Sequence, residues 1–401
     1  MQILIAGGGI GGLTAALAFL KAGHSVTVLE KAPEIAEVGA GLQISPNGMK
    51  VLDALGASAR VARDAFRPRA QELRLGRSGA RIFSVPLREA SQARWRGEYL
   101  HIHRADLVEA LKACVTDRAP DAVRLGATVT GYENTPGGIV ALLSTGERVA
   151  GDLLVGADGI HSAVRTQMLG PDKPRFTGNV AWRAVVPVSK LGDYPPPETA
   201  CVWAGKRRHA VTYRLRRGSL ANFVGVVECA EPGDESWTSV GAREQALKDF
   251  KGWNPVIQRI IDEAPLLLRW SLYDRPEMPK WQDGRAVLLG DACHPMLPFM
   301  AQGAVMAIED AYVLAREVGR TLAKGDGAGI EDGLKAYEAI RKPRATRVQN
   351  VARENAALFH RSNPLYQLGT YGPMWVAGKY LPSIVHGRHD WLYGHDVTGP
   401  G

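Results

Sequence analysis

Hydrophobic positions along the first thirty residues change character three times. Gln2–Ala6 is a nearly unbroken apolar run, as expected of a strand buried on both faces. A glycine-rich turn follows. Leu13, Leu17 and Leu20 then recur at helical spacing, and Gly23 is placed to end that helix. Ser25–Leu29 is rich in β-branched residues and closes on Glu30. Further on, the spacing predicts a helix around Asn47–Leu55 with Pro46 just ahead of it, and a short hairpin over 74–97. A helix with Leu107, Leu111 and Val115 on one face comes next, then strands around Ala122–Leu125, Thr128–Tyr132, Val140–Leu143 and Leu153–Val155.

From about 176 to 270 the pattern changes. Longer, alternating strands (Asn179–Val188, His209–Leu215, Ala221–Val227) are separated by turn-rich pieces such as Asp193–Pro197 and Arg216–Ser219, the signature of an antiparallel sheet with one face on a core. A buried parallel-type strand returns at 285–290, Gly303–Leu314 reads as a helix, and the last seventy residues are mostly helical, ending in an aromatic tail with Trp391 and Tyr393. The expected class is α/β. A Rossmann-like nucleotide-binding domain (1–73, 98–175 and 271–330) is interrupted by an antiparallel β-sheet domain (74–97 and 176–270) and followed by a helical C-terminal segment (331–401), with the ligand at the junction.

The first turn has chemistry of its own. Gly7, Gly9 and Gly12 fit G-x-G-x-x-G between a strand and a helix, and Glu30 ends the second strand 18 residues beyond Gly12. Glycines there let the backbone turn tightly and approach a pyrophosphate on the positive end of the helix, while the acid accepts hydrogen bonds from a ribose. The chain is predicted to bind a dinucleotide.

Composition narrows the rest. With 401 residues, 45% hydrophobic and 22% charged, the chain is long enough for two domains and a substantial core. Cys114, Cys201, Cys229 and Cys293 are scattered with no C-x-x-C pair, so buried thiols are expected rather than disulfides or a metal site. The apolar start lacks a basic leader and no long apolar run follows, so no membrane span and a cytoplasmic location are expected. Arginine dominates the net charge of +8, notably between Arg60 and Arg104 and again at Lys206–Arg208 and Arg214–Arg217, without interleaved aromatics or a zinc or helix-turn-helix pattern. That excludes nucleic acid as the expected partner and suits small anions, nucleotide phosphates or a carboxylate.

Two further signatures follow buried strands: Gly156-Ala157-Asp158-Gly159, and Gly290-Asp291-Ala292-Cys293-His294-Pro295 with Gln302-Gly303 and Glu309-Asp310 beyond it. Aspartates at the carboxyl ends of parallel strands sit where open α/β sheets bind ligands. The three motifs in this order resemble the class A flavoprotein monooxygenases, the single-component FAD-dependent aromatic hydroxylases. Ala40–Asn47, the His294-Pro295 to Gln302-Gly303 stretch and Trp391-Leu392-Tyr393 resemble the branch of salicylate, 3-hydroxybenzoate and 6-hydroxynicotinate hydroxylases.

The resemblance implies non-covalent FAD, with Gly7, Gly9 and Gly12 admitting the pyrophosphate and Glu30 holding the adenosine ribose. Arg104 would reach the phosphate and ribityl region, Asp291 the ribityl chain, and Asp158 both FAD and the reduced nicotinamide. Gln302 and Gly303 would present backbone N–H groups to the flavin. It further implies NADH or NADPH as transient reductant, O2 and a small aromatic substrate as reactants, and ring hydroxylation through a flavin C4a-hydroperoxide. The oligomeric state stays open, a homodimer among the alternatives. Period 2 puts His209, Val211 and Tyr213 on one face of their strand, and His209 and Tyr213 match the spacing of the branch's substrate-binding strand. That favours His209 as proton acceptor for a phenol and Tyr213 as a binding group, against both being ordinary sheet residues. Gln43 stands where the 6-hydroxynicotinate hydroxylases carry histidine, and Pro298-Phe299 where some 3-hydroxybenzoate enzymes are polar. His294 is read as packing, a helix-approach residue or a proton relay. A flavin oxidase or dehydrogenase, and a flavin-binding protein without turnover, remain alternatives.

Overall fold

A computed structural model describes residues 1–34, 41–232, 239–324, 329–360, 364–380 and 386–399. Part of the Ala40–Asn47 stretch, namely Ala40, lies outside them. The nucleotide-type half is built on a six-stranded sheet in the order Gln282–Asp283, Ala286–Leu288, Leu153–Gly156, Gln2–Ala6, Ser25–Leu29, Val123–Arg124. All neighbours run parallel except the first pair. Consecutive residues Ile3, Leu4 and Ile5 are all fully buried. Because successive side chains point to opposite faces, both faces of this sheet must be covered, which explains the unbroken apolar run. Helices Ile10–Lys21, Arg104–Thr116 and Gly303–Lys324 and a three-stranded sheet (Val129–Thr135, Gly138–Leu143, Arg148–Gly151) share that core.

The second half is a seven-stranded sheet in the order Leu268–Asp274, Arg175–Pro187, Leu220–Glu228, Arg208–Leu215, Ala200–Gly205, Ala70–Leu75, Arg81–Pro86. It is antiparallel except where Ala70–Leu75 runs parallel to Ala200–Gly205. This sheet reaches beyond the span expected from the pattern. The hairpin strand starts at Ala70 rather than 74, because Ala70–Leu75 bonds to neighbours on both sides, and Leu268–Asp274 joins the sheet by pairing with Arg175–Pro187. Helix Arg88–Trp95 occupies the rest of the expected hairpin region.

Alternation along these strands sorts their side chains. Trp182, Ala184, Trp203, Ala210 and Phe223 bury against helices Arg243–Asp249 and Pro255–Glu263. Ala181, Val224, Val226, Trp270 and Leu272 turn the other way and meet Leu297 and Phe299, from the segment that follows the Asp291 motif. Arg183 and His209 are out of phase with Trp182 and Ala210, so they also turn toward that second face. The C-terminal segment is largely helical. Ile330–Phe359 packs on Gly303–Lys324, and Pro364–Tyr380 packs on Arg81–Pro86. No described helix is long and apolar enough to cross a membrane.

Candidate active site

Sheet order brings the motifs together. Asp291, Asp158, the Gly7 turn and Glu30 follow the carboxyl ends of four adjacent parallel strands, the position at which open α/β sheets bind ligands. Gly7 has φ +105° and donates its N–H to the Leu29 carbonyl at 2.8 Å. A Cβ on Gly12 would lie 2.0 Å from the Gly7 carbonyl oxygen, so this turn closes only with glycine. A Cβ on Gly9 would meet nothing within 4 Å, because Gly9 borders open space. Glu30 is fixed beside the turn, accepting hydrogen bonds from Gly8 N–H at 2.6 Å and Ala32 N–H at 2.8 Å.

A cavity of about 260 Å³ lies between these strand ends and the seven-stranded sheet. Of the residues expected to bind the cofactor, Gly9, Arg104, Asp291, Gln302 and Gly303 line it; Gly7, Gly12, Glu30 and Asp158 lie behind or beside its wall. His209 and Tyr213 line it as well. Asp291 is surrounded by protein yet accessible, because the cavity reaches its carboxylate, and burial raises its pKa above the ordinary value. Asp158 accepts hydrogen bonds at Oδ2 from Ala163 N–H and Val164 N–H, while its Oδ1 is buried with no hydrogen-bond partner among the described residues. Burial likewise raises the Asp158 pKa.

These features fit FAD. Gly9 leaves room for a pyrophosphate, the Asp291 carboxylate lines the cavity where hydroxyl donors can reach it, the buried Asp158 Oδ1 stands just behind the wall, and the 22-residue helix Gly303–Lys324 begins at that wall.

A buried polar network holds that helix in place. The Gln302 side chain donates to Ser45 Oγ at 3.0 Å, Ser45 donates to Asn47 Oδ1 at 2.7 Å, and Asn47 donates to Glu309 Oε1 at 2.7 Å. Fully buried Arg341 bridges Glu309 at 2.5 Å and Asp310 at 2.7 Å, and Arg344 adds a second cation on Glu309. Burial opposes the charge on Glu309, but Arg341 and Arg344 outweigh it and bring its pKa down to about 2.

His294 belongs to this network. Its Nε2 lies 2.5 Å from Asp310 Oδ2, which also accepts from Gly290 N–H at 3.2 Å. Burial disfavours the imidazolium, yet Asp310 holds the His294 pKa well above its ordinary value. Through Asp310, His294 ties the Asp291 loop to the helix.

The opposite wall comes from the seven-stranded sheet. His209, Val211 and Tyr213 line it on one face, with Arg183 from the next strand but one. His209 is 1% exposed, its ring rests 5.2 Å from those of both Phe299 and Phe359, and its Nδ1 lies 2.7 Å from His360 Nε2. Burial, and secondarily the neighbouring His360, push its pKa well below the ordinary value, so the ring is neutral. Burial pushes Tyr213 up to about 12.

Arg183 and His360 were not singled out from sequence. The Arg183 guanidinium lies 5.5 Å from the Trp270 ring, and its nitrogens have no hydrogen-bond partner among the described residues. Burial lowers its pKa. Its one signal was the alternation through Trp182-Arg183-Ala184; His360 had none, being 151 residues from His209. A second chamber of about 760 Å³ adjoins beyond Gln43, His209, Val211 and Phe299, walled by Leu73, Val202, Leu358, Phe359 and Trp391.

Comparison with known proteins agrees with this geometry. Residues 1–352 match the family described as the FAD binding domain. The chain is 39% identical to the 3-hydroxybenzoate 6-hydroxylase 1 of Aquipseudomonas alcaligenes, over 99% of this chain and 98% of that one. It is 36% identical to a 3-amino-4-hydroxybenzoate 2-monooxygenase of Streptomyces platensis, over 100% and 97%. The structure of Klebsiella pneumoniae HpxO complexed with FAD and uric acid superimposes with a TM-score of 0.83 at 27% identity, covering 97% of this chain and 96% of that one. With the motifs, the fold and the cavity in agreement, the chain belongs to the class A flavoprotein hydroxylases and is an FAD-dependent aromatic monooxygenase.

Proposed function

We propose that this enzyme hydroxylates a phenolic aromatic carboxylate, related to salicylate or hydroxybenzoate, with O2 and with NADH or NADPH as reductant. The observation that carries this reading is the composition of one cavity wall: an imidazole (His209), a phenol (Tyr213) and a guanidinium without a carboxylate partner among the described residues (Arg183) share one sheet face, across from Gly9, Asp291 and Gly303. In this reading the parallel-sheet half holds FAD non-covalently and the seven-stranded sheet holds the substrate. Gly9 admits the pyrophosphate, Glu30 the adenosine ribose, and Arg104, Asp158 and Asp291 the phosphate and ribityl region. Bound FAD supplies electron transfer from the nicotinamide and transfer of one oxygen atom to the ring.

The protein's own contribution follows from its side chains. Arg183 pairs with the substrate carboxylate and Tyr213 hydrogen-bonds the ring substituents, fixing the ring's orientation. His209, neutral and in the cavity wall, accepts the phenolic proton and so raises the electron density of the ring for attack by an electrophilic oxygen. The start of helix Gly303–Lys324 would favour negative charge on a flavin held beside it by about 0.3–1 kcal/mol. Val226, Trp270, Leu272 and Phe299 exclude water.

The test is a screen of hydroxylated aromatic carboxylates for stimulation of NADH and NADPH oxidation, with product identification and His209→Ala as comparison. A hydroxylated product from the wild type, with turnover about 10²-fold slower and more peroxide in the variant, supports the reading. Desaturated product without added oxygen, or parent-rate hydroxylation by the variant, overturns it.

A further inference from the structure

His209 does not stand alone. Its Nδ1 lies 2.7 Å from Nε2 of His360, and Nδ1 of His360 lies 3.1 Å from Oε1 of Glu228. The other Glu228 oxygen meets exposed Arg207 at 2.7 Å. Exposure grows along this line: His209 is 1% exposed, His360 8%, and the Glu228 side chain 32%. The line therefore runs from the cavity wall to solvent.

Backbone contacts hold the three residues in place. Glu228 ends the strand Leu220–Glu228, which pairs with Arg208–Leu215 so that His209 faces Val226. Arg207 N–H donates to the His360 carbonyl at 3.2 Å, and Glu228 N–H donates to the Arg207 carbonyl at 3.0 Å. His360 directly follows the helix Ile330–Phe359. Besides Glu228, the charged group acting on His360 is Arg208.

The hydrogen-bond order sets both tautomers. A carboxylate only accepts, so His360 carries its proton on Nδ1 and donates to Glu228. Its Nε2 is then an acceptor, which requires His209 to carry its proton on Nδ1. His209 Nε2 is left with a free lone pair, and no described residue bonds to it. Glu228, at the surface, thereby prepares the base at the cavity.

We propose that His209, His360 and Glu228 form a proton relay, through which the proton of a bound phenol leaves the closed cavity. This rests on the reading that His209 receives that proton. The phenol O–H bond breaks and an N–H bond forms at His209 Nε2. The proton on His209 Nδ1 passes to His360 Nε2, that on His360 Nδ1 passes to Glu228, and Glu228 releases one to water. No electrons change hands, and both rings end neutral with their protons on Nε2; the same transfers in reverse, from water through Glu228 and His360 to the product phenolate, return both protons to Nδ1.

The need for such a relay is physical. A buried imidazole is a poor final resting place for a proton, because charging it costs desolvation. Burial lowers the pKa of both rings, that of His360 against the pull of Glu228. A proton handed on to solvent leaves the phenolate without an imidazolium that must be kept charged in a dry wall.

The test uses the FAD-loaded enzyme and two readouts. The first is ¹⁵N NMR of histidine-labelled protein, with His209→Gln and His360→Gln assigning the signals. Both rings should be neutral with the proton on Nδ1, and Glu228→Ala should convert His360 to a mixture of tautomers. A wild-type His209 protonated on Nε2 overturns the relay whatever the activity. The second readout is turnover, with 3-hydroxybenzoate as probe. His360→Gln should slow hydroxylation about tenfold or more, with added imidazole restoring part of it, and Glu228→Ala should slow it less. If His209→Ala is slow while His360→Gln and Glu228→Ala run at the parent rate, the relay is wrong and His209 keeps its role as base. If His209→Ala also runs at the parent rate, the underlying reading of His209 fails. Should His360→Gln not fold, Glu228→Ala at the half-buried end and the wild-type tautomers decide. Should 3-hydroxybenzoate not be turned over, the tautomers alone decide.

Discussion

Replacing Arg183 by Met removes the one guanidinium that the seven-stranded sheet presents to the cavity without a hydrogen-bond partner of its own among the described residues. A hydrogen-bonded ion pair to a substrate carboxylate contributes about 1.5–3 kcal/mol. At about 1.4 kcal/mol per tenfold change, the dissociation constant of the aromatic acid should rise by roughly 10- to 100-fold. The fold itself should lose little. Burial lowers the Arg183 pKa, so the charge is unfavourable in the free enzyme, and a Met side chain keeps a contact with Trp270 in place of the present guanidinium–ring distance of 5.5 Å.

The assay is a substrate titration followed by the change in flavin absorbance. It is run on wild type and Arg183→Met, each with the acid and with the same phenol lacking its carboxyl group. The loss should be confined to the acid, with the carboxyl-free phenol binding both proteins alike. Thermal unfolding should be unchanged or slightly raised in the variant. Equal losses for the two ligands, or an unchanged constant for the acid, would show that Arg183 does not pair with the carboxylate.

Asp291→Asn keeps the shape of a cavity-lining carboxylate and removes its charge. FAD should be held about tenfold or more weakly, since a charge-assisted hydrogen bond of about 1.5–3 kcal/mol is reduced to a neutral one; flavin retained per protein after gel filtration measures this. The pH dependence of stability should carry the signature of His101. Burial lowers its pKa to about 3, so the unfolded chain takes up a proton below pH 6.5 that the folded protein refuses. The favourable contribution is complete above pH 6.5 and is lost as pH falls toward 3; between pH 7.5 and 5.5 that loss is about 1.4 kcal/mol. Urea unfolding of His101→Phe at those two pH values should show a correspondingly smaller drop than the wild type.

Much of this site was legible because it rests on local rules. The Gly7 turn, Asp158 and Asp291 each follow a buried strand within a few residues, and strand pairing alone aligns their ends. His209 and Tyr213 were readable from period 2. What escaped depends on which face of the inserted sheet is covered. Trp182 and Arg183 are neighbours pointing opposite ways, and only the helices Arg243–Asp249 and Pro255–Glu263, by burying Trp182, leave Arg183 to the cavity. His360 joins His209 through the packing of a helix far along the chain, which no local pattern encodes. His294 was ambiguous for a related reason: its partner, Asp310, becomes adjacent only when the helix Gly303–Lys324 folds back along the sheet. The sheet's reach to Ala70 and Asp274 was not legible because those strands are fixed by pairing with partners distant in sequence, Ala200–Gly205 and Arg175–Pro187.

Oxygen labelling follows the transferred atom itself. The FAD-loaded enzyme is supplied with NADH or NADPH and an accepted aromatic acid under ¹⁸O2, and the product is analysed by mass spectrometry. The reading of His209, Arg183 and the flavin end as one hydroxylating site predicts one ¹⁸O atom in each product molecule, in proportion to the nicotinamide oxidised. Nicotinamide oxidation with all the label in peroxide, or a product whose new oxygen comes from water, would contradict it.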